Sequence, residues 1–167
     1  MSVKELLLGD LTAELDTTRR MLEAVPDDHI DWQPHEKSWP IGGVANHIAN
    51  LPMWAATVLR TPELDLGALP PPDGMPGAMA PVLDKFDRHR ADLEAAVAEA
   101  SDVDLAETWT MRKGEHVLMS APRAVVLRQA GLTHMAHHRG QLTVYLRLLD
   151  VPVPETYGPT ADSPPGF

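Results

Sequence analysis

Four stretches of this chain repeat apolar residues at the three- and four-residue spacing of an α-helix, and that periodicity limits the fold more than any other feature. In the first, Leu7, Leu11, Leu15, Thr18, Leu22 and Val25 share one face, which predicts a helix from about Val3 to Val25. Pro26-Asp27-Asp28 should stop it. In the second, Val44, Ile48, Leu51, Ala55 and Leu59 follow Pro40, a residue suited to an early helical position. Pro52 falls inside this helix and predicts a kink, because its ring nitrogen cannot donate to the turn before. The third helix should span about Met79 to Ala100, with Val82, Leu83, Phe86, Leu93 and Val97 inward. The fourth should run from about Pro122 to Leu149.

The segments between them carry the opposite signals. Residues 61–78 are rich in proline and glycine, so they read as a connection, long enough to cross the length of a bundle. Trp109-Thr110-Met111 and Val117-Leu118-Met119 flank Gly114 and predict a small hairpin. The tail, Val151 to Phe167, has five prolines and should be mostly irregular. The expectation is an all-α, four-helix-bundle fold, one domain over residues 1–167, with a long crossover between helices two and three.

At 167 residues the chain can bury a core without disulfides or metal. Its 24 Asp and Glu against 14 Lys and Arg give a net charge of −10, which argues against a nucleic-acid partner. With no cysteine, a thiolate metal site and a Cys nucleophile are excluded. Glu5 and Asp10 interrupt what would have to be the apolar core of a signal peptide, so a cytoplasmic location is expected. The stretch from Ser38 to Leu59 lacks charged side chains, but its asparagines, histidine, glycines and prolines suit a buried soluble helix better than a membrane span.

The acids are unevenly placed. None occurs between Glu36 and Glu63 or between Glu115 and Asp150, the two regions that contain helices two and four. Helix four nevertheless carries Arg123, Arg128, Arg139 and Arg147, which are expected to pair with acids on helices one and three. The eight histidines are uneven too. His134 and His138 lie four apart on helix four and share a face, close enough for two imidazoles to converge on one ion. His47 lies on the apolar side of helix two. Three neutral imidazoles meeting inside a bundle would suit Zn²⁺ or a similar divalent ion. Hydrogen-bonded core histidines fit the same spacing. Neither Glu-x-x-His pairs nor a His-Glu-x-x-His helix is present, so a di-iron bundle and that class of metalloprotease are excluded.

Trp39, then His47, then His134 with His138-Arg139-Gly140-Gln141, then Val153-Pro154-Glu155-Thr156-Tyr157-Gly158 in the tail, together resemble the DinB family of metalloenzyme-like proteins. The resemblance implies a four-helix bundle of up-down-down-up topology. It implies a divalent metal, zinc or nickel, held by His47, His134 and His138, with His137 turned away as a neighbour. Homodimers are also common in the family, and a stress-response role belongs to the non-catalytic alternative for this chain. Pro40, Gly42 and Gly43 depart from the family pattern at the start of helix two, so the mouth of the site is where this chain should differ. Relatives that use low-molecular-weight thiols suggest a metal-dependent transferase or isomerase acting on a small-molecule thiol, whose sulfur the substrate must bring. A non-catalytic metal-binding module and a metal-dependent hydrolase are the alternatives. Gln141, Tyr145 and Asn50 are candidates to orient a substrate, and Arg139 to pair with a carboxylate or meet an anion. The four tryptophans read as packing anchors, and His29, His35, His89 and His116 as solvated.

Overall fold

The structure, a computed structural model, describes residues 2–71 and 73–164. Helix α1 spans Val3–Glu23 and opens on a capping box, in which the Ser2 hydroxyl accepts from the Glu5 amide and the Glu5 carboxylate from the Ser2 amide. Helix α2 spans Ile41–Arg60, with Pro40 just outside its first turn. Helix α3 spans Met79–Glu99, and a five-residue helix, α4, follows at Asp102–Ala106. The fourth long helix is composite. It comprises α5 (Arg123–Val126), a π-helical stretch (Leu127–Thr133) and α6 (His134–Leu148). It ends where Asp150 turns left-handed at φ 56° and the Val151 amide reaches back to the Leu146 carbonyl.

The apolar stripes meet as their spacing requires. Leu11, Leu15 and Leu22 of α1, Val44, Ile48 and Leu51 of α2, Val82, Phe86 and Leu93 of α3, and Leu142 and Leu146 of α6 form one buried core. Polar contacts record how the helices lie against each other. Lys85 meets Asn46 and His89 meets the Ala49 carbonyl, so contacts between α2 and α3 advance together along both helices. Asp87 pairs with Arg19, and Arg90 with Asp16, so contacts between α3 and α1 advance in opposition. His89 is therefore tied into the bundle rather than solvated. Its Nδ1–H donates 2.8 Å to the Ala49 carbonyl of α2.

The predicted hairpin is present and is part of something larger. Strands β2 (Thr108–Lys113) and β3 (His116–Pro122) pair antiparallel around Gly114, whose φ of 59° suits a residue without Cβ. A short strand within the proline-rich connection, β1 (Glu63–Asp65), adds to β2 in parallel. The Arg112 guanidinium spans it, donating to Glu63 and Asp65. The connection was expected to hold no element, and what it gains is three residues of pairing to a distant strand. Among the described residues no helix is long and apolar enough to cross a membrane.

Candidate metal centre

The turn before His134 is not α-helical, and that shapes the site. In the π-helical stretch Leu127–Thr133 the Thr133 hydroxyl donates to the Arg128 carbonyl at 2.6 Å, five residues back, and to that of Gln129 at 3.1 Å. The backbone of Ala130, one turn before His134, acts weakly on that ring in favour of its protonated form. Where this helix passes α2, a Cβ placed on Gly131 would lie 3.5 Å from the Ala55 side chain, so the two backbones approach closely. One turn further along, His134 and His138 face His47.

The three rings gather tightly. His138 Nε2 lies 2.9 Å from His134 Nε2, which in turn lies 3.4 Å from His47 Nε2. One ligand atom from each residue falls within 4.8 Å of the others. Ring centroids are 4.6 Å apart for His47 and His138 and 4.7 Å for His134 and His138. Four-coordinate zinc with Zn–N bonds of about 2.0–2.1 Å would set its ligand nitrogens roughly 3.3 Å apart, so the spacing fits such an ion.

The proton inventory fits as well. Gln141 Oε1 lies 2.7 Å from His138 Nδ1, and an amide oxygen only accepts, so the His138 proton sits on Nδ1. His138 then presents its Nε2 lone pair toward His134 Nε2 at 2.9 Å, on the side where the three rings converge. Burial and the neighbouring rings hold all three histidines neutral. His47 is lowered to about 4, first by desolvation and then by His138 and His134. His134 is lowered mainly by desolvation, and so is His138.

The other candidates from the sequence fall into distinct places. Gln141 orients a triad member. Tyr145 donates through its hydroxyl to the Trp39 carbonyl at 3.2 Å and meets Trp32 edge-on. Asn50 lies near Asp73 and helps to lower that carboxyl, alongside the larger effect of Lys85. His137 is exposed, its ring 4.8 Å from that of His138. Arg139 points away from the triad. It lies 1% exposed and donates to Glu14 Oε2 at 2.6 Å, Thr18 Oγ1 at 3.1 Å and the Tyr157 hydroxyl at 2.6 Å. It thus pairs with a carboxylate of helix one, as the charge pattern predicts.

Trp39 is the correction. It was expected to be a packing anchor, yet it is 54% exposed, with its ring 5.4 Å from that of His47 and nearly parallel to that of His138. Nothing in the spacing of residues around it signals an exposed position. The irregular stretch before α2 carries it to the rim of the triad.

The sequence model for the DinB superfamily matches residues 10–142. YrdA of Bacillus subtilis is 24% identical over 149 residues, covering 89% of this chain and 84% of that protein. A crystal structure of a DinB-like protein from Bacillus cereus superposes with a TM-score of 0.69 at 23% identity, covering 92% of this chain and 97% of that one. The DinB-like YjoA from Bacillus subtilis gives 0.70 at 16% identity, with 90% and 96% covered. YfiT from Bacillus subtilis gives 0.63 at 14% identity, with 89% of each chain covered. YfiT is described as a probable metal-dependent hydrolase with an unusual four-helix bundle topology. With its long helices and its small sheet, the chain belongs to the DinB superfamily.

Proposed function

We propose that this protein is a metal-dependent enzyme in which His47, His134 and His138 hold one divalent ion, zinc or nickel, and that it acts on a small-molecule thiol as a transferase or isomerase. The observation that carries the metal is the convergence of three imidazoles, one ligand atom from each lying within 4.8 Å of the others. On this reading the whole chain is one bundle of up-down-down-up topology, supported by the contacts that advance together between α2 and α3 and in opposition between α1 and α3.

A divalent ion bound there lowers the pKa of a coordinated water or thiol toward neutrality. The chain's own residues do the rest. Gln141 fixes the ring proton of His138 and so that ligand's orientation. Trp39 covers one side of the rings and excludes water from it. Among the described residues, no carboxylate hydrogen-bonds to the triad. That favours a thiol over water as nucleophile, because with no base beside the triad the nucleophile must ionise under the ion's influence alone, and a thiol is far more acidic than water before it binds. The description of YfiT favours the second reading, metal-dependent hydrolysis.

The test begins with elemental analysis of protein purified without added metal. About one equivalent per chain is expected, and it should be lost in His138→Ala. Less than about one-tenth equivalent, with none gained on titration, overturns the metal site. Turnover of bacterial thiols with an electrophile then separates the readings. Equal rates for wild type and His138→Ala refute the thiol chemistry, and ester cleavage without thiol selects the hydrolase.

A further inference from the structure

The face of the fourth long helix turned to α1 holds a cavity of about 270 Å³, and none of the three triad histidines lines it. Arg139 marks that face through its bonds to Glu14 and Thr18, and Ala136, Leu132 and Arg128 precede it at three- and four-residue spacing. In the π-helical stretch the wider turn brings Thr133 over Arg128, whose carbonyl accepts from its hydroxyl, and both residues line the cavity. Asp10 and Glu14 of α1 and the Tyr157 ring of the tail line it from the other side. Its charges are unspent. Every other arginine among the described residues donates from its side chain to a partner, as Arg19 does to Asp87 and Arg147 to Asp162. The Arg128 guanidinium donates to none, and the Asp10 carboxylate accepts from none, although both line one cavity. Glu14 takes Arg139 and the Tyr157 hydroxyl on Oε2 alone, which leaves Oε1 without a donor among the described residues.

We propose that this cavity binds a small zwitterion of the amino-acid type, its carboxylate on Arg128, its ammonium between Asp10 and Glu14, and a compact apolar side chain against Leu132 and Ala136. A guanidinium takes a carboxylate in two parallel bonds, which suits the uncommitted Arg128. A lone anion would gain that contact but be repelled by the two carboxylates, and a lone cation would gain the carboxylates but be repelled by Arg128. A molecule carrying both charges meets an opposite charge at each end. At about 270 Å³ the cavity is smaller than the roughly 300–1,000 Å³ of drug-sized ligand sites, which limits the occupant to a small molecule. The site lies apart from the triad and stands whether or not a metal is bound there.

The experiment is an amide NMR titration with L-leucine and with its two halves, 4-methylpentanoate, which keeps only the carboxylate, and 3-methylbutylamine, which keeps only the ammonium. L-leucine should give saturable shifts centred on the amides of Leu132, Thr133 and Ala136, with a Kd on the order of 1 mM. Each half should bind about tenfold more weakly, having lost one charge-assisted contact. Arg128→Gln should weaken L-leucine and 4-methylpentanoate and leave 3-methylbutylamine unchanged, and Asp10→Asn should do the reverse. Both side chains are exposed, so circular dichroism of the two variants should match wild type. Because an amino acid can also chelate zinc, the titration is run on protein as purified and again after EDTA treatment, and the shifts should persist in both. Shifts that vanish with EDTA place L-leucine at the triad and overturn this site while leaving the metal reading standing. No saturable shift by about 50 mM L-leucine, or equal affinity for L-leucine and either half, also overturns it. So does wild-type affinity for L-leucine in both Arg128→Gln and Asp10→Asn.

Discussion

Replacing Arg139 by methionine should destabilise the bundle strongly while leaving the triad loaded. The guanidinium is 1% exposed and the Glu14 side chain 17% exposed, so most of this ion pair is out of water. Arg139 also donates to the Glu14 carbonyl at 3.2 Å and to Thr18 and Tyr157, and the Tyr157 ring lies 5.0 Å from its Cζ. Methionine fills much of the volume but supplies none of these donors. Breaking a buried pair by removing one partner costs about 3–5 kcal/mol, chiefly through the charge left behind. Here Glu14 keeps a bond from the Tyr157 hydroxyl at 3.0 Å and some access to water, so the lower end applies, about 3 kcal/mol. For a chain of this size each kcal/mol moves the melting midpoint by about 2–4 °C, which gives a fall of about 6–12 °C. Thermal and urea unfolding followed by circular dichroism measure it. Adding Glu14→Leu to Arg139→Met should recover part of the loss, because the stranded carboxylate is then gone. A midpoint within about 2 °C of wild type for Arg139→Met would refute the reasoning and return Arg139 to the list of possible anion-binding groups.

The same physical accounting extends to other positions. Tyr157→Phe removes a hydroxyl that both accepts from Arg139 and donates to Glu14, and should cost about 1 kcal/mol in urea unfolding. Gly42→Ala should be far worse than Gly43→Ala, because its Cβ would sit 2.8 Å from the Ile30 carbonyl oxygen, whereas at Gly43 only the flexible Met75 is close; expression and melting midpoint compare the two. Gln141→Leu should weaken zinc binding about 10–100-fold, read by competition with a chelating dye, since it frees the His138 ring to rotate. In metal-free protein the folded His47 titrates at about 4, below its unfolded value of 6.5, so the unfolded state binds more protons between those limits. Stability should therefore be flat above 6.5 and fall as the pH drops toward 4, by on the order of 1–2 kcal/mol after allowing for solvent screening. Urea midpoints of wild type and His47→Gln across that range check it, and equal slopes would count against it.

What could be read from the sequence was local. The predicted helix from Val3 to Val25 is found at Val3–Glu23, and the one from Met79 to Ala100 at Met79–Glu99, because an apolar stripe on a long helix declares itself within a few turns. The hairpin around Gly114 was visible for the same reason. Strand β1 was not, because Glu63–Asp65 pairs with Thr110–Arg112 far along the chain and sits among prolines that signal only a break. The fourth helix was expected as one continuous α-helix, since a π-helical stretch leaves the apolar pattern almost unchanged. His89 could not be told from a solvated histidine, since its partner is a backbone carbonyl on another helix. The expected trio of His47, His134 and His138 does come together, as the i, i+4 spacing and the apolar side of α2 suggest. The exposure of Trp39 was illegible, because it depends on the path of an irregular segment.

The acid-free regions and the imidazole cluster have a common physical basis. Three of the four arginines of the fourth long helix are turned toward partners other than the triad. Arg123 donates to the carbonyls of Val58, Leu59 and Thr61 at the C-terminal end of α2, where a cation also suits the helix dipole. Arg139 is spent on Glu14, and Arg147 on Asp162 in the tail. The acids paired with them are Glu107 between α4 and β2, Glu14 on α1 and Asp162 beyond α6, and none lies on α2 or α6. A carboxylate on either helix near the rings would stabilise an imidazolium and raise the histidine pKa values, and it would also compete as a ligand. Keeping acids off both helices leaves desolvation as the leading influence on each ring, and desolvation favours the neutral form that ligation requires. The net charge of −10 is compatible with a neutral triad because the acids and the rings occupy different helices.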